Sequence, residues 1–343
     1  MEIIQNLAAE INLDSIDYIV TNHGEVDHSG ALPALMKKIP KTPIYCTENA
    51  VKSLKGQYHQ NWNFQVVKTG DKLNIGNGKD LLFVEMKMLH WPDSMACYLT
   101  RDNILFSNDA FGQHYAANSL YNDLADQCAL FKEAKKYFAN ILTPFSDVLR
   151  KKLDEILALN LQIDIIATSH GVIWRDNPMQ IVEKYAAWAD SYQENQITII
   201  YDTMWNGTKR LAEKIAEGIE LADPETKVRV FNLPKSDEND LITEVFSSKA
   251  LILGSPTIGR SVLHAIAGFV HLAGEMGFKD KKAAAFGCYG WSGESVKVLN
   301  SMLEKAGVEL LNEGFRVHFN PDEQQQKLAE EFGKDLAEKL KSR

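Results

Sequence analysis

Four side chains able to bind a metal fall within six residues, at His23-Gly24-Glu25-Val26-Asp27-His28. They follow directly on the apolar residues Ile16, Tyr18, Ile19 and Val20, which read as a buried strand, and Gly24 reads as the loop leaving it. His23, Glu25 and Asp27 alternate with small or apolar residues, so a loop can turn all three toward one point. Two imidazoles with two carboxylates make a mixed nitrogen–oxygen donor set. Such a set suits borderline and harder divalent ions better than thiolates would.

Three more candidates stand just after strand-like runs. His90 lies in Leu89-His90-Trp91-Pro92-Asp93-Ser94, Asp109 in Ser107-Asn108-Asp109-Ala110-Phe111-Gly112, and His170 in Thr168-Ser169-His170-Gly171. Each alone reads as a satisfied polar cap at a strand end. Together with the opening motif they put histidine and carboxylate at four strand ends, where a βα scaffold gathers its functional loops. His59, His114, His264, His271 and His318 lack that context. His264 and His271 fall on an apolar helix and read as packing or surface residues, and His114 reads as a neighbour of Asp109.

A second set of loops lies in the C-terminal half. Asp202-Thr203-Met204-Trp205-Asn206-Gly207-Thr208 leads into a helix over 209–220. Hydroxyls at Thr203 and Thr208, a glycine and the free N–H groups of a helix start make a phosphate cradle without a lysine. It has neither the G-K-[ST] ending of a Walker loop nor a G-x-G-x-x-G fingerprint. Gly254-Ser255-Pro256-Thr257-Ile258-Gly259 and Gly287-Cys288-Tyr289-Gly290-Trp291-Ser292-Gly293 follow later apolar runs. Glycine lets the backbone approach a flat ligand, and Tyr289 or Trp291 could cover a ring face.

The elements that must position these loops differ between the halves. Up to about residue 191, short strands (44–46, 64–67, 81–85) alternate with loops and a few helices, and Asn77-Gly78 marks a tight hairpin. A polar boundary follows at 192–196. From residue 197 the pattern becomes regular β-α alternation, with strands at 197–201, 228–232, 250–254 and 283–287 and a last one at 308–311 or 315–319. Crossover helices between five strands make a parallel, doubly wound sheet with its ligand at the carboxyl ends of the strands.

A chain of 343 residues has room for two domains. Its net charge of −9, from 37 basic and 46 acidic residues, argues against nucleic acid or an anionic membrane as the main partner. No apolar run approaches the ~20 residues of a bilayer span, and no secretion signal opens the chain. Cys46, Cys97, Cys128 and Cys288 are scattered, which excludes a zinc ribbon or disulfide framework and fits a reducing cytoplasm.

With both sites laid out, the chain closely resembles the flavodiiron proteins, or A-type flavoproteins, and within them the flavorubredoxin branch. The first part, residues 1–192, resembles the αββα metallo-β-lactamase fold, whose zinc hydrolases carry H-x-H-x-D-H. Here the motif is His23-Gly24-Glu25-Val26-Asp27-His28, and Glu25 in place of the second histidine is the family's mark of a redox di-iron site. The resemblance implies that His23, Glu25 and His90 hold one iron, and that Asp27 and His170 hold the other, with Asp109 bridging. His28 matches a position that ligates in some members and swings away in others. The second part, residues 197–336, resembles flavodoxin, with the 203–208 loop on the phosphate of FMN and the other two loops around its flavin.

The family implies reduction of nitric oxide to nitrous oxide, with dioxygen reduction to water beside it, and at least a homodimer in which one subunit's FMN serves the other's irons. A tetramer is the alternative state. Members begin with several dozen more residues supplying the first sandwich strands, so the first domain is expected to be N-terminally incomplete. Flavorubredoxins end in a rubredoxin module, which implies a separate rubredoxin-like donor here, with its NADH-dependent reductase. Two other readings stand beside this one: a zinc metallo-hydrolase with an appended flavodoxin domain, and a non-catalytic FMN electron carrier.

Overall fold

The computed structural model describes residues 2–278 and 280–341. Contacts gather them into two compact units, one ending at Asp190 and the other beginning at Ser191.

The first unit opens with helix α1 (Glu2–Glu10) and a parallel sheet of β1 (Ile19–Val20), β2 (Ile44–Cys46) and β3 (Phe64–Val66). Parallel strands need crossovers. Here α2 (Val26–Ser29) and α3 (Leu32–Met36) join β1 to β2, and α4 (Glu48–Tyr58) joins β2 to β3. A second sheet runs in order through β4 (Lys72–Asn74), β5 (Asp80–Glu85), β6 (Met95–Leu99), β7 (Ile104–Asn108) and β8 (Ile165–Thr168). It is antiparallel up to β7, and β8 is parallel to β7. The two sheets meet through Val67, Phe83, Met95 and Cys97, with Val20 and Tyr45 packed against them. Leu32, Met36 and Leu54 cover the far side of the first sheet at Ile44. Helices α5 (Gln127–Tyr137), α6 (Ser146–Ala158) and α7 (Met179–Trp188) make the other outer layer, knit by the rings of Phe111, Phe138, Tyr185 and Trp188. This helix–sheet–sheet–helix stack is the metallo-β-lactamase-like architecture.

One local expectation changes. The opening motif reads as a loop, yet residues 26–29 form the helical turn α2. The Glu25 carbonyl accepts from Ser29 N at 2.8 Å, and the Ser29 hydroxyl folds back on the carbonyls of Gly24 and Glu25, each at 2.8 Å. The Ser29 hydroxyl, at the end of the turn, thus bonds back to carbonyls four and five residues earlier, the local back-bonding open to serine.

In the second unit a parallel sheet holds β9 (Gln196–Tyr201), β10 (Lys227–Asn232), β11 (Ala250–Gly254), β12 (Lys282–Tyr289), β13 (Glu309–Leu310) and β14 (Phe315–His318). Its order is β10-β9-β11-β12-β13, the flavodoxin order, which places the reversal at β9 and β11. The alternatives for the last strand both occur: β13 pairs the start of β12 and β14 its end, with residues 311–314 bulging between. Between strands run α8 (Gly207–Ala222), α9 (Glu238–Ser247), α10 (His264–Glu275) and α11 (Ser295–Lys305), and α12 (Glu323–Lys341) closes the unit. Helices α8 and α12 touch backbone to backbone: a Cβ on Gly218 would meet Glu330 O at 2.0 Å, and one on Gly333 would meet Ile215 O at 2.2 Å. No described helix is long and apolar enough to cross a membrane.

Candidate functional site

The seven residues singled out in the first unit converge, and Asp109 is their centre. It follows β7, is 1% exposed, and turns its two carboxylate oxygens to different histidines. Oδ2 lies 3.6 Å from His23 Nε2 and 3.5 Å from His90 Nε2. Oδ1 lies 3.0 Å from His28 Nε2 and 3.4 Å from His170 Nε2. Each pair of imidazoles has its own second carboxylate. Glu25 Oε2 is 3.1 Å from His23 Nε2 and 3.6 Å from His90 Nε2, and Asp27 Oδ2 is 3.3 Å from His28 Nε2 and 3.4 Å from His170 Nε2. The α2 turn explains the division: Glu25 is the extended residue before it and faces one nest, while Asp27 and His28 within it face the other.

The chemistry of these groups fits a pair of cations. His28 Nε2 and Asp109 Oδ1 are buried 3.0 Å apart, and neither makes a well-formed hydrogen bond. Stranded polar atoms of this kind are costly unless something positive lies between them. Burial alone would raise the pKa of Asp109. The imidazoles of His170 and His28, with the charge of His23, reverse that and hold it well below the usual carboxylate range. No thiol belongs to either nest. Buried Cys46 and Cys97 are pushed up to about 12 by desolvation and stay protonated.

Sequence reasoning passed over the group that orients His23. Asp93 is fully buried; Oδ1 accepts from His23 Nδ1 at 2.8 Å and Oδ2 from Gly24 N at 3.1 Å. A proton held on Nδ1 leaves Nε2 with its lone pair turned inward, the tautomer a metal ligand needs. Trp91 packs edge-on to His23, with centroids 5.1 Å apart. Gln113, also fully buried, accepts from Val172 N at 2.7 Å and so steadies the loop after His170. His114 sits 5.5 Å from the His170 ring and edge-on to Tyr137. Its pKa is lowered, by burial first and then by His170.

The second unit carries a cavity of 390 Å³ at the carboxyl ends of its strands. Its walls include Thr203, Met204, Trp205, Gly207 and Thr208 from the first loop, Pro256 and Thr257 from the second, and Cys288, Tyr289, Gly290 and Trp291 from the third. Asn206, Ser255, Gly287 and Gly293 are not among the lining residues. Asn206 precedes α8 in the left-handed region (φ 64), and Ser255 Oγ accepts from Leu263 N at 3.0 Å. Ile258 and Gly259, further along the second loop, also line the cavity, as do Phe319 and Asn320, which were not anticipated.

Thr208 is 1% exposed, and its hydroxyl oxygen has no partner at the start of α8. An acceptor-poor, N–H-rich corner of this kind fits a phosphate. Trp205 and Trp291 are 80% and 89% exposed, so two large rings border the cavity with little packed on them. The volume, the phosphate corner and the aromatic rim fit a mononucleotide with a flat ring.

Comparison with known proteins agrees in both halves. The family described as ODP family beta lactamase matches residues 1–171, and the Flavodoxin family matches residues 199–333. Over 337 residues the chain is 53% identical to the anaerobic nitric oxide reductase flavorubredoxin of Escherichia coli (strain K12), covering 98% of this chain and 70% of that protein. Its identity to the flavorubredoxin of Aliivibrio fischeri (strain ATCC 700601 / ES114) is 54%, over 98% of this chain and 68% of that one. Among solved structures it is similar to the rubredoxin oxygen:oxidoreductase of Desulfovibrio gigas, with a TM-score of 0.95, 31% identity, and 99% and 85% of the two chains covered. The flavodiiron protein of Giardia intestinalis follows with a TM-score of 0.93, 30% identity, and 99% and 83% covered.

Proposed function

The chain belongs to the flavodiiron proteins, and from that premise we propose that it reduces nitric oxide to nitrous oxide and water at a non-haem di-iron site, with electrons delivered through FMN. Dioxygen reduction to water is a second activity of the same site. We assign residues 1–192 to the di-iron domain and 197–336 to the FMN domain. His23, Glu25 and His90 would hold one iron and Asp27 and His170 the other, with Asp109 shared between them; His28 stands in the second nest. The cavity of the second unit would hold FMN, with Thr203 and Thr208 offering hydroxyls to its phosphate.

The single observation that supports this most is the division of Asp109 between two nests, each with its own imidazoles and its own carboxylate. When bound, the irons supply open positions where two nitric oxide molecules couple with two electrons and two protons, and FMN supplies the electrons. The chain's own residues set the stage. Asp109 brings a negative charge between two cations, which lowers their repulsion in a desolvated site. Asp93 fixes the tautomer of His23. Trp91 lays an apolar ring against His23. Electrons come from a rubredoxin-like donor and its NADH-dependent reductase, and the chain works as a homodimer or tetramer in the cytoplasm.

Protein purified without oxygen tests the reading. Two irons and one FMN per chain are expected, and the reduced protein mixed with nitric oxide in a stopped flow should reoxidise and release nitrous oxide. Asp109→Asn keeps the volume and removes the charge. It should lose an iron and lower turnover by orders of magnitude, while flavin content and flavin reduction stay normal. Stoichiometric zinc with hydrolase activity, or a reduced flavin that nitric oxide leaves untouched, would overturn the proposal.

A further inference from the structure

The loop 289–293 contributes Tyr289, Gly290 and Trp291 to the flavin cavity, yet two glycines leave its backbone little intrinsic stiffness. What holds it comes from the end of β14 and the residue after it. Phe319 N donates to Tyr289 O at 2.7 Å, His318 Nε2 lies 2.7 Å from Gly290 O, and Arg316 Nη1 donates to Gly293 O at 3.2 Å. Three donors spaced over four residues engage three carbonyls spaced over five. A carbonyl can only accept, so His318 carries its proton on Nε2.

Ring contacts reinforce the hydrogen bonds. His318 stacks on Tyr289 at 5.1 Å between centroids and on Phe319 at 4.0 Å. Phe319 sits in the left-handed region (φ 62), which turns the chain back over the loop, and its ring comes within 3.9 Å of where a Cβ on Gly290 would stand. Phe319 is 65% exposed and lines the same cavity. A bulky residue with positive φ is uncommon and marks a place where the surroundings impose the conformation.

We propose that Arg316–His318–Phe319 is a clasp that pre-forms the flavin-covering loop, with His318 the positioning residue that fixes the Gly290 carbonyl. Phe319 is the added ring wall it brings with it. The inference rests on the assignment of FMN to this cavity. A loop already pinned in its bound shape loses less freedom when the flavin arrives, so the clasp acts on affinity and above all on release.

Two substitutions separate the donor from the ring. His318→Gln keeps an N–H donor near the Nε2 position and loses the stack, whereas His318→Phe keeps a stacking ring and loses the donor. The full chain, stripped of FMN, is titrated with FMN by flavin fluorescence, and release is followed after dilution. His318→Phe should bind about tenfold more weakly and release FMN faster, while His318→Gln stays within about twofold of the parent, the scale of one lost hydrogen bond. Parent-like binding by His318→Phe overturns the clasp. Equal weakening of both variants also overturns it, because a donor retained by His318→Gln then fails to preserve binding. If the parent chain itself takes up no FMN, the flavin assignment falls first and the clasp with it.

Discussion

Asp93→Asn is the sharpest perturbation of the metal nest, because it changes no volume and touches no ligand position. The fully buried Asp93 carboxylate accepts from two donors, His23 Nδ1 at 2.8 Å and Gly24 N at 3.1 Å. An asparagine offers one acceptor and one amide donor to the same pair. With its oxygen toward His23, the tautomer survives, but two donors then face each other at Gly24 and the loop must shift. With its oxygen toward Gly24, the amide donates to Nδ1 and the proton moves to Nε2, which faces Glu25 at 3.1 Å and can no longer ligate. Either arrangement also removes a charge that favours binding of a cation by His23. Orienting partners of this kind are worth ~10–100-fold in metal affinity, or about 1.4–2.7 kcal/mol.

The assay is iron retained per chain under graded chelator without oxygen, with bound FMN as the internal reference. We expect the variant to surrender one iron early, since the nest of Asp27, His28 and His170 has no contact with Asp93, and to keep its flavin. A chelator curve superimposed on that of the parent would refute the reasoning, because Asp93 would then be a structural cap with no hold on the tautomer.

Other outcomes follow from features of the second unit. Thr208→Glu puts a carboxylate in the phosphate corner and should weaken FMN binding by more than about tenfold in a fluorescence titration, while iron content is unchanged. Gly218→Ala forces a methyl onto the Glu330 carbonyl, 2.0 Å from the ideal Cβ, and should cost about 1–3 kcal/mol in chemical denaturation of the FMN domain. Lys281, 5% exposed, donates to Tyr192 O at 2.5 Å and Phe246 O at 2.7 Å, and burial pushes its pKa down to about 8. The unfolded chain keeps that proton up to the ordinary value of 10.5, so between these pH values it binds more protons than the folded chain. Stability therefore rises with pH across this window, by up to roughly 3 kcal/mol, and denaturation at pH 7.5 and 9.5 should show that gain in the parent and not in Lys281→Met.

Much of this was legible in the residues. The ligand-bearing loops and the three cavity loops stand directly after apolar runs, so period and punctuation locate them without a structure. Asp93 escaped because its role depends on meeting His23, 70 positions earlier, and a single acid in a turn carries no spacing signal of its own. His318 was set aside for lack of neighbours, although it ends the last strand at the same sheet edge as the cavity loops. The split of the fifth strand was readable only as two rival segments, since both have strand character and pairing with β12 decides where each lies. The helical turn at residues 26–29 was hidden for the opposite reason: it is one turn long, closed by the bonds of Ser29 N to Glu25 O and Gly30 N to Val26 O, and so short a segment carries no helical period.

The contact of α8 with α12 has a consequence during synthesis. The helix that starts at the phosphate corner is covered by a segment made more than a hundred residues later; even at its far end, Lys341 Nζ donates to Ala222 O across 119 positions. Until α12 emerges, the buried face of α8 around Ile215 has no cover on that side, and the corner at Thr208 rests on a helix that is only partly anchored. The iron nests, by contrast, are complete in sequence once His170 is made. Metal capture can therefore begin on the nascent chain before α12 is made, whereas flavin loading has to wait for α12. Ribosome-bound chains halted before and after residues 323–341 would show the difference directly, with iron retained by both and FMN fluorescence quenched only by the longer.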